Sequence, residues 1–267
     1  MSDWRALEDE LALWRAAGRT AELWWRDDDA ADVGPELDRL LDLQRETAMP
    51  LALAVVPAHA TPALAERLAG EPGVDLLQHG YAHVNHAPPG DGKKIELGPH
   101  RPAMIVLGEL GTGWLALERL FGDRPLGVMV PPWNRIAPAL VPTLPEIGFT
   151  GLSTFGARAR AQPVRGLRQI NTHVDLIDWK GPIDLKGKRG FAGEEAVLSA
   201  LVRALAQART GAGEPVGLLS HHLAMDGGAW DFLRSFWERT RTMSGMRVRS
   251  ARELFAAGNS DGGETRA

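Results

Sequence analysis

The chain has no cysteine, which excludes disulfides and thiolate metal sites, so any metal must be held by oxygen and nitrogen. It also lacks a basic block, and its formal net charge is −4, so the electrostatic footprint of a nucleic-acid partner is missing. No run approaches the roughly 18 apolar residues of a membrane span, so no membrane partner is expected. The opening Met1-Ser2-Asp3-Trp4-Arg5 continues into a charged amphipathic helix rather than an apolar secretion segment, and a cytoplasmic location is the expectation. Oligomeric state is left open.

What is present is an ordinary globular composition, 44% hydrophobic over 267 residues, enough for one α/β barrel with a sizeable core. Leu7, Leu11 and Trp14 recur at helical spacing near the start. Strand-like runs follow at 22–26, 51–56, 73–78, 126–131, 148–153, 167–171, 174–179, 215–220 and 246–249, with helices expected over 35–46, 61–69, 102–121, 137–147, 194–210 and 230–243. Strand followed by helix, repeated, predicts a parallel sheet, and its length favours a barrel over an open sheet. No linker divides the chain. Residues 1–257 read as one domain, 258–267 as a polar, glycine-rich flexible tail, and 87–101 as a Pro/Gly-rich mobile rim.

Histidine is scarce, eight in all, yet His79, His83 and His86 fall within one short stretch directly after the apolar run at Val74 to Leu77. On a helical turn the spacing of His79 and His83 brings both imidazoles to one side, as a divalent metal needs. A run of three carboxylates, Asp27, Asp28 and Asp29, ends another short strand. Adjacent like charges repel unless a cation neutralises them; one Asp with two His makes a three-ligand site with a position open for water. Trp133-Asn134-Arg135, Asp175 to Trp179 and His221-His222 also sit at the ends of strand-like runs. In a barrel those ends converge on one face, where α/β barrels gather their chemistry.

These five segments, in this order, resemble the polysaccharide deacetylases, the metal-dependent family-four carbohydrate esterases, over about residues 20 to 225. The resemblance is to a divergent bacterial branch without a signal segment. It implies a distorted (β/α) barrel, a divalent metal, usually zinc, and N-deacetylation. The first family motif pairs a base Asp with a ligand Asp; Asp28 as base and Asp29 as ligand fits, and Asp27 with Asp28 is the other register. The His-x-x-x-His metal pair is met by His79 and His83. The third motif is usually Arg-Pro-Pro followed by an aromatic. Here Val130-Pro131-Pro132-Trp133 lacks the arginine, and Arg135 or Arg26 could substitute. The resemblance gives the Trp133 backbone N–H to the oxyanion and its ring to the sugar. Asp175-Leu176-Ile177-Asp178-Trp179 matches the fourth motif. Alternation puts Asp175 and Asp178 on opposite faces of a straight strand, so one of them faces the pocket. Leu218-Leu219-Ser220-His221 matches the fifth, with His221 the preferred acid and the adjacent His222 the alternative. Asn85, His86, Asn134 and Arg135 are expected beside the metal or the substrate.

The implied function is metal-assisted removal of an N-acyl group, most simply N-acetyl, from an amino sugar or oligosaccharide. Asp29, His79 and His83 hold the metal, Asp28 takes the proton of water, and His221 protonates the departing amine. Two other readings compete: hydrolysis of a non-sugar C–N bond in a small soluble substrate, and a non-catalytic sugar-binding relic.

Overall fold

The computed structural model describes residues 3–183, 189–211 and 213–256; the tail expected at 258–267 lies outside them. Its centre is Ala21–Ala30 (β1), ten residues of nearly unbroken burial. Around it run Leu51–Val55 (β2), Val74–His79 (β3), Pro125–Val130 (β4), Gly151–Leu152 (β5), Arg168–Gln169 (β6), Val174–Asp175 (β7), Val216–Ser220 (β8) and Met246–Val248 (β9). The order is β6-β5-β4-β3-β2-β1-β8-β7, with β9 paired to the start of β1. Every pairing between these strands is parallel.

The two edges of this sheet are successive pieces of one segment, 168–175. On one side it pairs with β5, and Thr172 bridges to Phe155. On the other it pairs with β8, and the His173 N–H donates to the Gly217 carbonyl at 2.7 Å. The sheet thereby closes on itself as a distorted (β/α) barrel. Gly217 makes the seam possible, because a Cβ there would lie 2.5 Å from Trp24 Nε1 and 2.7 Å from Thr172 Cα. The seam also explains the shortened strands at 167–171 and 174–179: a segment that changes partner partway keeps only two ladder residues on each side.

Among the described residues the strands are accompanied by seven α-helices: Asp3–Ala16 (α1), Pro35–Thr47 (α2), Pro62–Ala69 (α3), Ala103–Phe121 (α4), Glu194–Thr210 (α5), Gly227–Thr240 (α6) and Ala251–Ala256 (α7). Thr61 caps α3 by accepting from the Leu64 N–H, with Pro62 in the first turn. Asp226 caps α6 in the same way, which starts that helix before the expected residue 230. The helix expected over 137–147 is instead two 3-10 stretches, Pro138–Thr143 and Pro145–Ile147. Pro142 and Pro145 remove the amide donors that a continuous α-helix needs there. None of the described helices is long and apolar enough to cross a membrane.

Strand alternation separates an outer from an inner core. Leu23, Trp25, Leu53, Val55 and Leu218 face outward into a large cluster with the helices. Trp24, Ala52, Ala54, Leu77, Val128 and Val130 face inward and meet Ala251, Leu254 and Phe255 of α7. β9 joins the beginning of β1, and the Arg252 N–H donates to Asp75 near the start of β3. α7 therefore plugs the N-terminal end of the barrel and leaves the C-terminal strand ends as its open mouth.

Candidate functional site

Alternation along β1 turns Trp25 and Asp27 outward and Trp24, Arg26 and Asp28 inward. It fails at Asp29. The register with β2 shifts between Asp27 and Ala30, and Asp29 adopts a φ of 75°. The bulge turns its carboxylate onto the histidines, with Oδ1 at 3.1 Å from His79 Nε2 and 3.2 Å from His83 Nε2. The three ligand atoms lie within 4.8 Å of one another. His79 ends β3, and its Nδ1–H donates to the Val130 carbonyl at 3.0 Å, which leaves Nε2 directed at Asp29. His83 does not follow on a helical turn. It comes from an irregular bend, with Gly80 and His83 both at φ 56°.

This donor set fits a divalent cation. Burial opposes ionisation of Asp29, but hydrogen bonds from His79 and His83, with the charges of His79 and His221, outweigh it and hold the carboxyl well below the usual range. Burial likewise pushes His83 down, yet its bond to Asp29 and the charges of Asp29, Glu96 and Asp28 bring it above its ordinary value. The cluster gathers positive charge, and one oxygen and two nitrogens are the ligands that thiolate-free zinc, cobalt or nickel sites use.

Asp28 lies beside this cluster in the grip of a fully buried arginine. Arg26 Nε is 2.8 Å from Asp28 Oδ1, and Nη2 donates to Oδ2 at 3.0 Å. The same guanidinium donates to Asn134 Oδ1 at 2.6 Å and to Ser153 Oγ at 2.7 Å. Arg135 plays no such part: it donates to the Lys94 carbonyl. Asp27 is turned away, its carboxylate accepting from Ser220 Oγ at 2.5 Å, from the His222 N–H at 3.1 Å and from His222 Nδ1 at 2.5 Å. Of the two possible registers, the structure brings together Asp28 and Asp29.

His221 and His222 part in the same fashion. His222 faces outward onto Asp27, whose charge and hydrogen bond raise it above the ordinary histidine range although burial works the other way. His221 lies inward with its Nδ1 at 3.7 Å from Asp175 Oδ1, and that nitrogen has no hydrogen-bond partner among the described residues. Asp175 is held by the Ile177 N–H at 2.9 Å and by Trp179 Nε1 at 2.8 Å. Burial, only partly offset by His221 and these donors, raises the Asp175 carboxyl. The Trp179 ring meets His221 edge-on, centroids 5.0 Å apart. Asp178 is exposed and accepts from the Lys180 N–H, so Asp175 is the one that stands against His221.

Trp133, at φ 54°, packs its ring 4.4 Å from that of His83. Asn134 reaches the site through Arg26. Asn85 and His86 do not join it: Asn85 Oδ1 accepts from the Ala87 and Ile95 N–H groups, and His86 lies outside the metal cluster. The sequence reading missed Ser153 and Glu96. Ser153 belongs to the barrel seam, and Glu96 follows two lysines in a segment that reads as a solvated rim; neither carries a local signal.

No protein-family model and no curated protein sequence matches the chain. Solved structures do. A Mycobacterium smegmatis protein assigned as a polysaccharide deacetylase is similar at TM-score 0.66 and 20% identity, with 90% of each chain covered. The peptidoglycan deacetylase PdaC of Bacillus subtilis is similar at TM-score 0.52 and 16% identity over 88% of this chain and 89% of its own. A family-four acetyl xylan esterase of Clostridium thermocellum, in complex with a cobalt ion, is similar at TM-score 0.50 and 13% identity over 88% and 91%. At these identities the likeness shows the fold, that of the polysaccharide deacetylases.

Proposed function

We propose that this chain is a metal-dependent hydrolase that removes an N-acyl group, most simply N-acetyl, from an amino sugar or oligosaccharide. One observation carries the reading. Asp29, His79 and His83 converge at the open end of the barrel, with an arginine-held Asp28 and an inward His221 beside them.

Asp29, His79 and His83 would hold a divalent metal such as zinc, which when bound polarises an acyl carbonyl and acidifies water. Asp28 takes the proton from the attacking water, and Arg26 keeps that carboxylate in place for the transfer. The Trp133 N–H meets the carbonyl oxygen as it gains charge. An amine anion is too basic to leave, so His221 delivers a proton to the nitrogen as the C–N bond breaks. Asp175 stands on the Nδ1 side of His221 and steadies the charged ring. The proton taken by Asp28 returns to His221 through solvent, so each turnover consumes one water and releases acid and amine. The rings of Trp133, beside His83, and Trp179, beside His221, give a sugar two faces to lie against.

The test is to incubate the zinc-loaded chain with N-acetylated chito-oligosaccharides, acetylated xylan and small N-acyl amides, following acetate and free amine. Equimolar acetate and amine from the oligosaccharides support the reading. Release only from the small amides would move the substrate class. No release from any, with metal bound, would favour a sugar-binding relic.

A further inference from the structure

The segment 94–97 was expected to belong to a mobile rim, but each of its four residues is tied to the loop that carries His83 or to the one that carries Trp133. The Lys94 carbonyl accepts from Arg135, and its ammonium stands 5.8 Å from the centre of the Trp133 ring. Ile95 accepts from the His86 N–H at 3.0 Å and donates to Asn85 Oδ1 at 2.9 Å. Leu97 bridges to Ile136, and its carbonyl accepts from the Ala137 N–H at 2.7 Å.

Between them Glu96 is 1% exposed, with no ion pair to it among the described residues. Its carboxylate accepts from three backbone amides of the His83 loop: Ala82 at 2.8 Å, Tyr81 at 3.1 Å and Val84 at 3.3 Å. That loop has neither helix nor strand to satisfy these donors, and it holds His83 in a left-handed conformation that costs a non-glycine residue energy. Gly80 is matched to the same contact: a Cβ there would stand 2.0 Å from Glu96 Oε2. Both carboxylate oxygens are engaged by amides, and Glu96 is not one of the clustered metal-ligating groups.

We infer that Glu96 is a positioning residue for the metal centre, the middle of a buckle that fixes the His83 imidazole and fastens its loop to that of Trp133. This rests on the metal reading above. A ligand whose loop is already fixed gives up little entropy on binding, whereas a free loop must be ordered by the ion itself.

The test is titration of the metal-stripped chain with zinc, in wild type and in Glu96→Gln, Glu96→Ala and Gly80→Ala, well below each unfolding midpoint. Glu96→Ala and Gly80→Ala should weaken zinc binding by about ten- to a hundred-fold, and the Tyr81, Ala82 and Val84 amides should lose protection from exchange. Glu96→Gln should fall between, because its carbonyl oxygen can still serve two amides. It also carries the test should Glu96→Ala not fold. A lowered unfolding midpoint with wild-type zinc affinity in all variants overturns the inference and leaves the metal reading standing. Absence of zinc binding in the wild type overturns both.

Discussion

Arg26 and Asp28 stand on the inner face of one strand, and the guanidinium meets the carboxylate at two points, Nε to Oδ1 at 2.8 Å and Nη2 to Oδ2 at 3.0 Å. Val130 occupies the place where the resemblance expects an arginine, and the positive charge reaches the candidate base from β1 instead. Lysine offers a point charge and cannot reproduce the two-point grip together with the bonds to Asn134 and Ser153. Arg26→Lys should therefore lower kcat by about tenfold or more, within the span that general base catalysis supplies. Arg26→Ala leaves a buried carboxylate unpaired and should cost about 3–5 kcal/mol in urea unfolding. Wild-type kcat in Arg26→Lys would remove the orienting role.

Asp28→Asn keeps the shape of the site while losing the proton acceptor. Turnover should fall by about 10²–10⁴-fold, with zinc still bound at the wild-type ratio by elemental analysis. Loss of both together would mean that Asp28 belongs to the ligand set.

Trp179→Phe keeps a ring near His221 but deletes the Nε1 hydrogen bond to Asp175. With Asp175 less firmly held, steady-state kinetics should show kcat falling several-fold, on the order of one lost hydrogen bond, and KM changing less. A rise in KM alone would assign Trp179 to substrate binding and not to the Asp175–His221 pair.

His222 titrates above the ordinary 6.5 in the folded chain because Asp27 holds its proton. A raised folded value means that protonation favours folding. The contribution is full below that ordinary value and is lost as pH rises through the raised one. The unfolding free energy of wild type minus that of His222→Asn should therefore be larger near about pH 6 than near about pH 9. An equal difference at both would show that the pair is not a proton-linked contact.

Much of this was legible in the chain. The strand-then-helix order announced the barrel, and polar residues at strand ends announced its mouth. What escaped the sequence was the local geometry that breaks simple periodicity. The β1 bulge turns the Asp29 carboxylate toward His79 and His83, since strict alternation would have sent it outward with Asp27. The motif match left His222 as an alternative to its neighbour His221, and the contact that turns His222 onto Asp27 lies in the fold, not in the sequence. The His83 loop was read as a helical turn because spacing of four fits one, yet Gly80 and a buried Glu96 make a different bend. Glu96 is 12 or more residues from each amide it holds, too far for any local pattern to reveal.

The central claim is that Asp29, His79 and His83 form one metal site. It is tested most directly by elemental analysis of metal-stripped chain after equilibration with zinc and gel filtration, in wild type and in His79→Ala/His83→Ala. The account predicts about one zinc per chain in the wild type, as a three-ligand site requires, and none retained by the double variant. Equal zinc in both, or none in the wild type, would contradict it.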